Sequence, residues 1–203
     1  MAQKLHYFDL NVYAEAIRYM LYYSGDKFED VRHDRHQWPI QDVKDKLPYG
    51  KMPFYEEGNR SVDQSLAIAR YVANKYNLLP SNPWDQAVLD AVVLHIYDFF
   101  SKAYVWYKEP DPARKDAMKK DIMEVQIDFY FSKFDKELKK NKGHFGGRLY
   151  WADFILVGIV EVSNLALGIE IEKKYPAVQV LIKEIRNLPG VKEYISKRKP
   201  YTL

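Results

Sequence analysis

The stretch Leu47-Pro48-Tyr49-Gly50-Lys51-Met52-Pro53 is followed, eleven positions on from Pro53, by Gln64-Ser65-Leu66-Ala67-Ile68-Ala69-Arg70-Tyr71. Gly-Lys-Met-Pro alone is a turn, and a proline at the head of a short strand, Phe54 to Glu57, needs no function to explain it. The second half adds chemistry. Asp63, Gln64 and Ser65 stand where a strand gives way to an apolar helical stretch. Unpaired backbone N–H groups and the positive end of the helix dipole there suit a carboxylate.

Working outward, short β-like and helical pieces alternate from Leu5 to about Tyr76. Strands are expected at Lys4 to Phe8, Phe28 to Arg32, Phe54 to Glu57 and Arg60 to Asp63, the last two forming a hairpin around Gly58-Asn59. Helices are expected from about Tyr13 to Tyr23 and from Ser65 to about Lys75. This mixture suggests a small α/β thioredoxin-like domain, residues 1–78. Leu79-Pro80-Ser81-Asn82-Pro83 reads as a linker. Beyond it the period becomes helical, with Val88, Val92, Ile96, Phe99 and Ala103 in one stretch and Ile122, Val125, Phe129 and Leu138 in another. An all-α domain, 84–203, is expected, with helices at about 84–107, 112–140, 151–168, 175–187 and 189–197.

The chain of 203 residues is 47% hydrophobic and 29% charged, as ordinary globular proteins are, and its net charge of +3 is mild. The lysine-rich stretches lie among acids or at the terminus and form no basic stripe, so no nucleic-acid or membrane partner is expected. The absence of cysteine excludes disulfides, thiolate metal sites and cysteine nucleophiles, and with them a thioredoxin-type oxidoreductase. Lys4 and Asp9 interrupt the first apolar piece, so no secretory leader is expected, and the run Phe154 to Val160 is far short of the ~20 residues that cross a membrane.

The Met-Pro turn and the Gln-Ser pair at this spacing, with an α/β domain ahead of a helical one, resemble the glutathione transferases of the sigma class. The resemblance covers nearly the whole chain and implies a cytoplasmic homodimer with glutathione as cosubstrate and no prosthetic group. It implies a cis bond at Met52-Pro53, with the Met52 backbone against the cysteinyl part of glutathione, Gln64 and Ser65 on the γ-glutamyl carboxylate, and Lys51 as a further glutathione contact through its backbone more than its side chain. Trp38 is matched to the glycyl end, and either Lys44 or Lys46 to the glycyl carboxylate. Asp98 matches a residue that crosses the dimer interface to the neighbour's ligand.

Tyr7, at the end of the first strand, matches the tyrosine whose hydroxyl donates to the glutathione sulfur. A thiol with pKa near ~8.5 is roughly 3% ionised at pH 7. A hydrogen bond to a charged acceptor contributes about 1.5–3 kcal/mol, enough to raise the thiolate to between about a quarter and four-fifths. The expected electrophile pocket comprises Phe8, Tyr13, Phe99 (or Phe100), Tyr104, Tyr107 and Leu203, although aromatic residues at helical spacing equally suit a core. The resemblance implies conjugation to apolar electrophiles such as lipid peroxidation products, or glutathione-dependent isomerase or peroxidase chemistry on lipids, with prostaglandin D isomerisation as a side activity. A low-activity ligand carrier or crystallin-like protein is the rival on the same fold.

The departures are Val12-Tyr13-Ala14-Glu15-Ala16-Ile17-Arg18, where relatives carry a glycine and a proline, and Tyr150, where they carry a Ser or Thr helix cap three residues before the Asp. The missing cap predicts a loss of about 0.5–2 kcal/mol at the start of the buried helix. No metal is expected, because Leu94, His95, Ile96 and Tyr97 precede Asp98 and no histidine pair has ligand spacing.

Overall fold

The computed structural model describes residues 2–47 and 49–200. The chain divides into two compact units, one running to Leu78 and resuming at Leu188, the other spanning Leu79–Asn187.

The first unit is built on a four-stranded mixed sheet of order β2-β1-β3-β4, with β1 at Gln3–Phe8, β2 at Glu29–His33, β3 at Phe54–Glu57 and β4 at Arg60–Asp63. The β1–β2 pair is parallel, joined through α1, Glu15–Ser24; the other two pairs are antiparallel. Alternation along β1 buries Gln3, Leu5 and Tyr7 while Lys4, His6 and Phe8 are half-buried. On that second face His6 stacks on Phe54 and bonds both Glu56 (2.9 Å) and His33 (3.3 Å). The polar loop after β2 contains a 3-10 turn, Arg35–Gln37, and a single helical turn, α2, Gln41–Lys44. Helix α3, Ser65–Lys75, closes the sheet, burying Ile68, Ala69, Val72 and Ala73.

The end of the chain differs from the expected division. The domain read as 84–203 gives up its last segment, because α9, Val191–Lys197, groups with the first unit. Its Tyr194 hydroxyl donates to buried Glu15 at 3.0 Å and stacks on Tyr22, and Arg198 pairs with Glu15 at 2.5 Å. Gly190 permits the approach: its φ is +77°, and a Cβ there would lie 2.1 Å from the Tyr22 carbonyl oxygen.

The second unit is helical: α4, Pro83–Lys108; α5, Pro112–Asp121; α6, Ile127–Lys140; α7, Trp151–Leu167; and α8, Pro176–Asn187. Asn82 caps α4 by accepting the Trp84 N–H at 2.7 Å, and Asp111 caps α5 by accepting that of Arg114 at 2.8 Å. The helix expected at 112–140 is interrupted by a π-helical stretch, Ile122–Gln126. The inserted residue shifts the phase, so Ile122, Ile127, Phe131, Phe134 and Leu138 are buried while Val125 and Phe129 turn to the surface.

The cap at α7 is also reworked. The Tyr150 side chain makes no capping bond, but Asp153 accepts the Tyr150 N–H at 2.8 Å and the Phe145 N–H at 3.1 Å. His144 lies 3.4 Å from the Asp153 carboxylate and 3.3 Å from that of Glu184. The cap expected to be missing at Tyr150 is indeed absent as a side chain, but the Asp153 half of a capping box is present, and a histidine that sequence spacing did not single out supports it. Among the described residues, no helix is long and apolar enough to cross a membrane.

Candidate active site

Strand register brings Tyr7, Met52-Pro53 and Gln64-Ser65 to one end of the first unit's sheet. His6 opposes Phe54, so Tyr7 continues against Pro53; Phe54 opposes Asp63, so the Met52-Pro53 peptide and the Gln64-Ser65 pair share that end of the β3–β4 hairpin. The Met52-Pro53 bond is cis, and so is Trp38-Pro39.

Gln64 immediately precedes α3 with φ of 70° and ψ of 112°, a left-handed φ in a residue with a Cβ. Such a conformation costs on the order of 1–3 kcal/mol and persists only where its surroundings fix it. It leads directly into Ser65 at the first turn of α3, where backbone N–H groups are unpaired within the helix.

Tyr7 is 4% exposed, its ring 5.5 Å from that of Phe8, and Phe8 meets Trp38 edge-on at 5.5 Å. The Lys44 stem runs over Gly50, where a Cβ would lie 3.1 Å from Lys44 Cε. Of the two lysines left open, Lys44 is thereby held on the turn that enters Lys51-Met52-Pro53. Both it and Lys51 are exposed, whereas Tyr13 is half-buried.

Sequence reading missed the support beneath Tyr7. Arg18, on α1, has no exposed surface, and its guanidinium carbon lies 6.0 Å from the Tyr7 ring centroid. It donates to Asp30 (3.0 Å), to Glu15 (3.1 Å) and to the Leu10 carbonyl (2.8 Å). Burial opposes its charge, but Asp30 and Glu15 outweigh that and raise its pKa. Asp30 also accepts from Arg32, which reaches Asp9 and the Tyr194 hydroxyl. The available signal was two opposite charges, Glu15 and Arg18, three residues apart within an apolar helix.

The remaining candidates stand on α4 in the second unit. The Asp98 side chain is 62% exposed, with His95 at 3.5 Å. Phe99 corrects the expected pocket: it is 0% exposed and packs edge-on against Phe131 at 5.0 Å and against Tyr130, so it belongs to the helical core. Its place on the apolar stripe of α4 explains this; Phe100 is nearly as buried, while Tyr104 and Tyr107 are exposed. Leu203 lies outside the described residues. Among those residues, no group of three or more histidines, aspartates or glutamates could hold a metal ion.

A small mixed sheet with a cis-proline turn and a strained residue ahead of α3, followed by a helical unit, defines the class of fold. Residues 3–74 match the family profile of the glutathione S-transferase N-terminal domain, and residues 97–198 that of the glutathione S-transferase C-terminal domain. The chain belongs to the glutathione S-transferase family. It is 33% identical to glutathione S-transferase S1 of Drosophila melanogaster, over 96% of this chain and 78% of that one. It is also 33% identical to the hematopoietic prostaglandin D synthase of Gallus gallus, over 96% of each. The solved prostaglandin synthase D of Nilaparvata lugens superposes with a TM-score of 0.91 at 36% identity, over 98% of this chain and 99% of that one.

Proposed function

We propose that the chain is a sigma-type glutathione transferase in which the Tyr7 hydroxyl donates to the glutathione sulfur and holds it as the thiolate. The observation that carries this reading is the register: Tyr7, Pro53 and the Gln64-Ser65 start of α3 share one end of the sheet. Backbone groups beside Met52-Pro53 then take the cysteinyl part, Gln64 and Ser65 the γ-glutamyl carboxylate, and Trp38 and Lys44 the glycyl end. Lys44 is preferred to Lys46 because its stem lies on Gly50. Lys51 contributes chiefly through its backbone.

The thiolate adds to an apolar electrophile such as an unsaturated lipid peroxidation product, forming a sulfur–carbon bond as the carbon–carbon π bond opens and a proton is taken from solvent, or serves isomerase or peroxidase chemistry on lipid peroxides. Phe8 and Tyr13 offer aromatic surface for that second substrate. The relatives named prostaglandin D synthase support a prostaglandin D isomerase side activity. The family likeness supports a cytoplasmic homodimer in which Asp98 reaches the neighbour's γ-glutamyl amino group, a role that the exposure of Asp98 suits. Glutathione is the cosubstrate, with no prosthetic group.

Retention on immobilised glutathione, followed by turnover of a panel running from aryl halides to long-chain unsaturated aldehydes and hydroperoxides, tests the reading. Retention with turnover favouring the lipid-like members is expected. Retention without turnover of any member would replace the enzyme with the carrier.

A further inference from the structure

The end of the sheet that carries Tyr7 also bears a separate polar cleft, lined by none of the residues assigned to glutathione. Its volume is about 550 Å³, and its walls come from Asp9, Leu10, Arg32, Asp34, Arg35, His36 and Lys199. That volume suits a small ligand. Leu10 is the one apolar side chain on the walls, so little is gained there by burying hydrocarbon.

The acids of the cleft are already engaged. The Asp34 carboxylate accepts the His36 backbone N–H at 2.9 Å. Asp9 accepts from Lys199 at 2.7 Å and from Arg32 at 3.2 Å, and these partners hold its pKa below the usual carboxylate range. Arg32 places its other nitrogens on Asp30 and Tyr194.

Cations are left over. Arg35 is exposed, and its guanidinium has no hydrogen-bond or ion-pair partner among the described residues. Lys199 uses one of its three donors on Asp9. A smaller cavity of about 250 Å³ shares Asp9, Arg32 and Lys199 with the cleft and is lined also by Lys197, Arg198 and Asp30. A guanidinium fork and an ammonium with donors to spare, lining the same cleft, match a compact oxyanion carrying two charges.

We propose that this cleft binds a small dianionic oxyanion, a phosphate monoester or a dicarboxylate, through Arg35 and Lys199, apart from the glutathione-site residues. Inorganic phosphate and succinate, each titrated calorimetrically into the whole protein at ionic strength held constant with chloride, are the probes. At least one should bind saturably, weakened about tenfold in Arg35→Ala and partly restored in Arg35→Lys, with retention on immobilised glutathione unchanged. Tighter phosphate assigns the ligand to the phosphate esters and tighter succinate to the dicarboxylates. Absence of saturation with both probes, equal binding in Arg35→Ala, or loss of glutathione retention in that variant overturns the proposal.

Discussion

Arg18 shows how far one residue's role can lie from its appearance in the sequence. Within Ala16-Ile17-Arg18-Tyr19 it reads as a charge on an apolar helix, and only the fold reveals Asp30 brought against it from the neighbouring strand. Removing one member of a buried charge cluster leaves its partners uncompensated, at a cost of about 3–5 kcal/mol. Asp30 retains Arg32, and Glu15 retains Arg198 and Tyr194. Arg18→Met should therefore fall near the lower end, with urea unfolding showing a loss of about 3 kcal/mol. A loss under about 1 kcal/mol would mean that the cluster contributes little to stability. Gln64 and Met52-Pro53, by contrast, were legible as residues, because turn chemistry and a helix start are local properties. The left-handed φ of Gln64 was not, since no residue type announces it.

At the scale of elements, the strands and long helices follow directly from hydrophobic period, and the hairpin from Gly58-Asn59. The π-helical stretch does not, because one inserted residue leaves composition unchanged while rotating everything after it. The start of α7 carries a pH-dependent prediction. Contact with Asp153 raises the pKa of His144 above 6.5 against the opposing effect of burial. The folded state therefore holds that proton more tightly than the unfolded chain. This contribution is fully present below about pH 6.5 and is lost as pH rises through the raised value. Burial raises the pKa of Asp153 in the same cluster, so a nearby positive charge is needed when it ionises. Wild type and His144→Asn melted between pH 6 and 8.5 should differ most at the acid end and converge at the alkaline end. A constant difference across that range would remove His144 from the pH response.

For the whole molecule, the shift from mixed to helical patterning near residue 79 was legible, as was the identity of the residues at the end of the sheet. The return of α9 to α1 was not: Tyr194 and Glu15 are separated by 179 positions, and nothing local links them. Phe99 was placed in the pocket because a stripe of aromatic residues does not say which members face inward. The central claim joins the parts that were legible, namely that this arrangement lets Tyr7 hold glutathione as its thiolate. The direct measurement is the ultraviolet absorbance of the bound thiolate as a function of pH, in the wild type and in Tyr7→Phe at saturating glutathione. The wild type should ionise about 1–2 pKa units below the free thiol, near ~8.5, and Tyr7→Phe should return to about that value. Coincident curves, both titrating near ~8.5, would contradict the account.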